Sequence, residues 1–167
     1  GLGVVGIAAA VAGRAASVVL TDKEEMQPLL RRNIELNGLA GTCRAETLEW
    51  GRPPPAEWGA FGVVLAADVI YPTKDPVCLL ALRETLFALC LPGSATVLVL
   101  AYHERAAEDR DFLRGELLPH FDLAVEEIGG EEDASDGHTS AVPAAATAFP
   151  SMAPCTRCQV YSGHRRA

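Results

Sequence analysis

The chain has 167 residues, 49% of them hydrophobic, with a formal net charge of -8 and a pI near 4.9. That is enough apolar material for the core of one domain, 1–167. The acidic balance excludes the basic footprint of a nucleic-acid binder and would instead steer basic ligands or lysine-bearing proteins to the surface.

Five cysteines at irregular positions read as reduced intracellular thiols and not as a disulfide framework. Residues Gly1 to Gly13 are apolar enough to imitate the core of a signal peptide. They lack a positively charged leader, an initiating Met and the length of a bilayer span. The expectation is a soluble cytoplasmic protein, with the nucleus as a second compartment, that engages no membrane. A start at Gly-Leu-Gly also reads as the interior of a longer chain.

Gly1-x-Gly3-x-x-Gly6 opens a run of small apolar residues, Ile7 to Ala12, read as a tightly packed helix ending near Gly13. Val18 to Leu20 is a short buried strand that ends in Thr21-Asp22. A glycine turn, a helix, a strand and an acidic residue about 20 positions on make the dinucleotide fingerprint, in which the carboxylate accepts from ribose hydroxyls. The strand that should precede the glycines is absent.

Lys23 to Asn37 is the next expected helix, with Pro28 in its first turn and Leu29, Leu30, Ile34 and Leu36 at roughly helical spacing. Asn37-Gly38 stops it. Cys43 to Leu48 reads as a strand, followed by Glu49-Trp50-Gly51 and a Pro-rich turn at Pro53 to Pro55. Trp50 is open to two readings, a core aromatic or a ligand contact.

Phe61 to Tyr71 carries the uninterrupted apolar run Val63-Val64-Leu65, then Ala66, Ala67 and Asp68, with Pro72 ending any continuation. Such a run suits a strand buried on both faces of a parallel sheet. Asp68 and Tyr71 should then project from its carboxyl end, where open α/β sheets bind ligands. A carboxylate placed there without a partner is costly. The simpler alternative is that Asp68 caps a turn and Tyr71 packs on the strand edge.

Asp75-Pro76 is an N-cap with Pro at the first helical position, leading a helix through Leu79, Leu82, Leu86 and Leu89. Ala95 to Leu100 is another buried strand. Tyr102-His103-Glu104-Arg105 leads into a helix over Glu108 to Leu118, whose Asp109, Arg110, Asp111 and Arg114 read as a solvated face. Phe121 to Ile128 reads as a strand. The segment 129–156 turns acidic and then rich in Ala, Ser, Thr and Pro, as a flexible insertion would. Gln159 to Tyr161 reads as a last edge strand before a basic tail, His164 to Ala167. Cys155-x-x-Cys158, with His138 or His164, has the look of half a zinc site. It lacks a second pair at the usual spacing, so no metal is expected.

Strands alternating with helices give a doubly wound α/β sheet. Taken together, Gly1-x-Gly3-x-x-Gly6, Thr21-Asp22, Leu48-Glu49-Trp50-Gly51, Ala67-Asp68-Val69-Ile70-Tyr71 and Ala101-Tyr102-His103-Glu104-Arg105 resemble one family. It is that of the S-adenosylmethionine-dependent protein-lysine methyltransferases with an Asp-x-x-Tyr motif, the methyltransferase-like 21 group and its relatives. The resemblance implies a Rossmann-like sheet whose first, central strand is missing from this chain, with a gap between the strands ending at Asp22 and Asp68. It implies S-adenosylmethionine held by Gly1, Gly3 and Asp22, with Trp50 and Ala67 near its adenosine. Asp68 and Tyr71 would border the channel of a target lysine. The implied partner is a non-histone protein such as a chaperone or elongation factor, modified by a monomeric enzyme. Two other functions fit the residues: a nicotinamide-dependent dehydrogenase, from the glycine spacing and Asp22, and a non-catalytic fragment that keeps the fold.

Overall fold

The first helix, α1 (Val4–Val11), starts at Gly3, whose φ of 81° lies in the left-handed region. Glycine adopts that conformation without a side-chain penalty. α1 then lies so close to the next strand, β1 (Val18–Asp22), that a side-chain carbon on Gly6 would stand 2.1 Å from Leu20 Cδ2. The second and third motif glycines thus have structural work whatever they bind. The computed structural model describes residues 1–13, 15–70, 76–128 and 158–167.

A single 3-10 turn at Glu24–Met26 precedes α2 (Gln27–Leu36), with Pro28 in the first turn of the α-helix as its missing amide requires. β2 (Cys43–Thr47) pairs parallel to β1, with Leu20 opposite Ala45. Leu20, Leu30, Ile34, Cys43 and Ala45 are buried together with Ala10 of α1 as one apolar cluster. Leu30 and Ile34 lie one helical turn apart and face inward. Leu29 and Leu36, expected on the same stripe, are exposed because they fall off that i, i+4 row.

β3 (Val63–Ala67) pairs parallel to β4 (Val97–His103), and α3 (Pro76–Leu89) runs between them in sequence. Leu79, Leu82 and Leu86 of α3 meet Leu98, Leu100 and Tyr102 of β4 in the larger core. β4 extends three residues beyond the expected end, so Tyr102 and His103 belong to the strand. α4 (Ala107–Phe112) follows, then a wider π turn at Leu113–Leu117 and a 3-10 turn at Leu118–His120.

β5 (Phe121–Ile128) has the bounds read from the sequence. β6 (Cys158–Arg165) corrects the reading in two ways. It takes in His164 and Arg165 of the supposed tail, and it is no edge strand. It lies antiparallel between β4 and β5, so the larger sheet runs β3-β4-β6-β5 and β5 is the edge.

The β1–β2 pair and this four-stranded sheet share no strand pairing among the described residues. α1 touches both β1 and β3. β3 is less covered than a fully buried strand should be, with Val63 and Leu65 exposed on one face. No described helix is long and apolar enough to cross a membrane. The expected insertion 129–156 lies outside the described residues.

Candidate active site

Two strand ends carry the residues singled out from the sequence. At the end of β1, Asp22 keeps its side chain 21% exposed, and the amino group of Gly1 lies against its Oδ2. Its Oδ1 accepts a hydrogen bond from the Lys23 amide at 2.7 Å. The glycine loop and the acidic residue are therefore neighbours, as the fingerprint requires. Asn33 of α2 donates to the Leu2 carbonyl at 2.9 Å and ties the loop down. Gln27, itself buried, donates to the carbonyls of Asp22 at 3.2 Å and Glu46 at 2.9 Å, joining the ends of β1 and β2. A partly exposed carboxylate of this kind can accept hydrogen bonds from hydroxyl groups.

Trp50 packs, half-buried, against the larger core. The turn that carries it is pinned by the Gly51 amide, which donates to Thr85 Oγ1 at 2.9 Å, while that hydroxyl donates to the Ala81 carbonyl at 2.9 Å. The core reading of Trp50 is therefore met, and its half-exposed ring still leaves a surface for a ligand.

At the end of β3, Ala67 is exposed and sits opposite Ala101. Asp68 comes next, and its amide continues the ladder by donating to the Ala101 carbonyl at 2.9 Å. Its φ is 56°, the one positive value outside glycine among the described residues. Asp tolerates the left-handed region better than most residues, and strained positions of this kind cluster at functional sites. Tyr71 lies outside the described residues.

The sequence reading gave Asp68 no partner, but it has one. Arg105 donates Nη1 to Oδ1 at 2.7 Å and Nη2 to Oδ2 at 2.6 Å, a two-pronged pair. The Asp68 side chain is 55% exposed and that of Arg105 37%, so the pair stabilises the fold little. The hydrogen bonds to Asp68 hold the guanidinium pKa above its ordinary value. The available signal was topological. β4 is the parallel neighbour of β3, so a residue just past its carboxyl end falls beside Asp68.

Asp109 is a second correction. Read as part of a solvated face, it is 1% exposed, because it shares the inward row of α4 with Phe112 and Leu113. Among the described residues neither of its oxygens has a hydrogen bond of ordinary geometry, nor does the buried Tyr102 hydroxyl. The amides of Ala106 and Arg105 lie close enough to favour the charged carboxylate. Burial outweighs them and raises the Asp109 pKa above the usual 3.8. Burial, with Glu104 and Asp109 nearby, pushes Tyr102 up to about 12. Glu104 is paired with Arg110 at 2.9 Å. Of the suspected zinc ligands, His138 and Cys155 lie outside the described residues. Among the described residues no group of His, Cys, Asp and Glu is placed to hold a metal.

The sequence profile of the lysine methyltransferase family matches residues 1–116. The chain belongs to that family. This lysine methyltransferase family member is 33% identical over 115 residues to protein-lysine N-methyltransferase EFM6 of Saccharomyces cerevisiae, covering 64% of the chain and 45% of that protein. It is 35% identical over 122 residues to secreted RxLR effector protein 48 of Plasmopara viticola, covering 64% of the chain and 61% of that protein. The chain thus spans about half to three fifths of the length of these curated relatives. Among solved structures it resembles the N-methyltransferase NodS of Bradyrhizobium japonicum WM9 in complex with S-adenosyl-L-homocysteine. That match has a TM-score of 0.55 at 12% identity and covers 96% of this chain and 83% of that one. At that identity the likeness shows the fold, a Rossmann-like methyltransferase α/β sheet. The family match leaves the dehydrogenase alternative without support, since the same glycines and Asp22 occur here in a lysine methyltransferase family member.

Proposed function

We propose that the protein transfers a methyl group from S-adenosylmethionine to a lysine side chain of another protein. The observation that carries this is Asp68. It is a carboxylate in a strained left-handed pose, at the carboxyl end of a parallel strand, in a chain of the lysine methyltransferase family. Its resemblance to EFM6, a protein-lysine N-methyltransferase, supports the same substrate class.

In this reading Gly1, Gly3 and Asp22 hold the methionine and ribose parts of S-adenosylmethionine, and Trp50 and Ala67 border its adenosine. When bound, S-adenosylmethionine supplies an electrophilic methyl group on a sulfonium, whose S–CH3 bond pair stays on sulfur as the N–CH3 bond forms. The chain's own work is mainly positioning. Asp68 orients the arriving ammonium, and Tyr71 helps set its angle. With a reference pKa of about 10.4 the lysine arrives protonated, so it must release a proton to water before its lone pair can attack.

The test is transfer of labelled methyl from S-adenosylmethionine to cell-extract proteins, read as methyl-lysine after acid hydrolysis. Asp68→Asn should lower transfer by about 10²-fold while leaving S-adenosylhomocysteine affinity unchanged. Near-normal transfer by a folded Asp68→Asn variant would reduce Asp68 to a turn residue, because Asn serves turns about as well. Absence of methyl-lysine with the unaltered protein would overturn the function itself.

A further inference from the structure

A lone carboxylate beside a lysine would work against methyl transfer. An opposite charge within a few ångströms favours the protonated amine, and the protonated amine has no lone pair to offer. Asp68 is not a lone carboxylate. Arg105 meets both of its oxygens, at 2.7 and 2.6 Å, through a fork that also fixes the plane of the carboxylate. A carboxylate offers about four lone-pair directions, and the fork uses two. The Asp68 side chain is still half-exposed beyond that fork.

We propose that Arg105 is a positioning residue for the reaction: it orients Asp68 and cancels its charge, so that the lysine site is close to neutral and the bound amine can shed its proton. This rests on the reading that Asp68 receives the substrate lysine. Of the titratable groups on the same segment, His103 closes β4 two residues before Arg105. Asp109 and Tyr102 act on Arg105 from α4 and β4. Glu104 is taken up by Arg110. Ala67, Val69 and Ile70 on either side of Asp68 carry no charge. Among the described residues, Arg105 is thus the cation that sets the charge Asp68 presents.

The sign of the effect follows. Without Arg105 the site gains a net negative charge, the bound ammonium holds its proton more tightly, and the pH needed for reaction rises. The test compares Arg105→Gln, Arg105→Lys and the unaltered protein for labelled methyl transfer to cell-extract protein across pH. In Arg105→Gln the acidic limb of the pH–rate profile should move up by about one pH unit or more, with much of the rate regained at high pH. Arg105→Lys keeps the charge but loses the fork. It should leave the limb in place and lower the plateau.

A second readout needs neither cofactor nor substrate. With 15N-labelled arginine, the Arg105 Nη–H resonances should be resolved in the free protein, as in a fixed guanidinium, and lost in Asp68→Asn. A loss of rate in Arg105→Gln by one factor at every pH would make Arg105 merely structural and overturn the inference. So would a guanidinium indifferent to Asp68. If the unaltered protein makes no methyl-lysine, the underlying reading fails first, and this inference falls with it.

Discussion

The carbonyl oxygen of Asp122 in β5 stands 1.8 Å from where a side-chain carbon on Gly163 of β6 would lie. Gly163 pairs with Leu98 on one side and Leu123 on the other, so a side chain there must push the β5 backbone aside. Gly163→Ala should therefore cost about 2–3 kcal/mol of stability, the upper part of the usual range for overpacking. Denaturant unfolding followed by circular dichroism checks this. An unchanged midpoint would show that β5 relaxes freely.

Thr85 should matter at a distance from its own helix. Thr85→Val keeps the shape but leaves the Gly51 amide without its acceptor, at a cost of about 1–2 kcal/mol. Under the proposed function, the loosened Trp50 turn should also weaken S-adenosylhomocysteine binding. Calorimetric titration at a temperature where the variant is folded separates the two effects.

Asp22→Ala should weaken S-adenosylhomocysteine binding by about 1–3 kcal/mol, since the ribose hydroxyls lose a charged acceptor. Unchanged affinity in a folded variant would remove Asp22 from the cofactor site.

Asp109 gives a pH-dependent prediction. Its folded pKa is raised above the usual 3.8, chiefly by burial, so the folded state binds its proton more tightly than the unfolded state does. Stability from this residue is thus present below pH 3.8 and declines as pH rises through the window above it. Asp109→Asn should melt higher than the parent at pH 7, and the gap should close toward pH 3. Thermal melts at the two pH values decide it, and a variant that melts lower at pH 7 would show that the charged form is well held.

Much of this was legible in the sequence because it was written locally. β5 has the bounds read from Phe121 to Ile128, and Asp68 falls at a strand end because an apolar run stops there. Asp22 meets the glycine loop because β1 runs back along α1, which returns the end of the strand to the start of the helix. What stayed hidden depends on elements distant in sequence. β6 shows a short apolar patch, and nothing in it says that it enters between two strands. Arg105 lies 37 residues from Asp68, and only the parallel β3–β4 pairing brings them together. Asp109 sits among Glu108, Arg110 and Asp111, so composition hides it, and only the helical phase set by Phe112 and Leu113 turns it inward.

The position of β6 has a consequence for the order of events during folding. β5 comes before β6 in the chain, yet its strand partner is β6, which in turn is bonded to β4. β5 must therefore wait for a later segment, while β1 and β2 pair across the α2 crossover that directly joins them. Contacts of such long sequence separation form slowly. In native-state hydrogen exchange, β5 amides should never outlast those of β6, because a molecule that releases β6 sets both strands loose together.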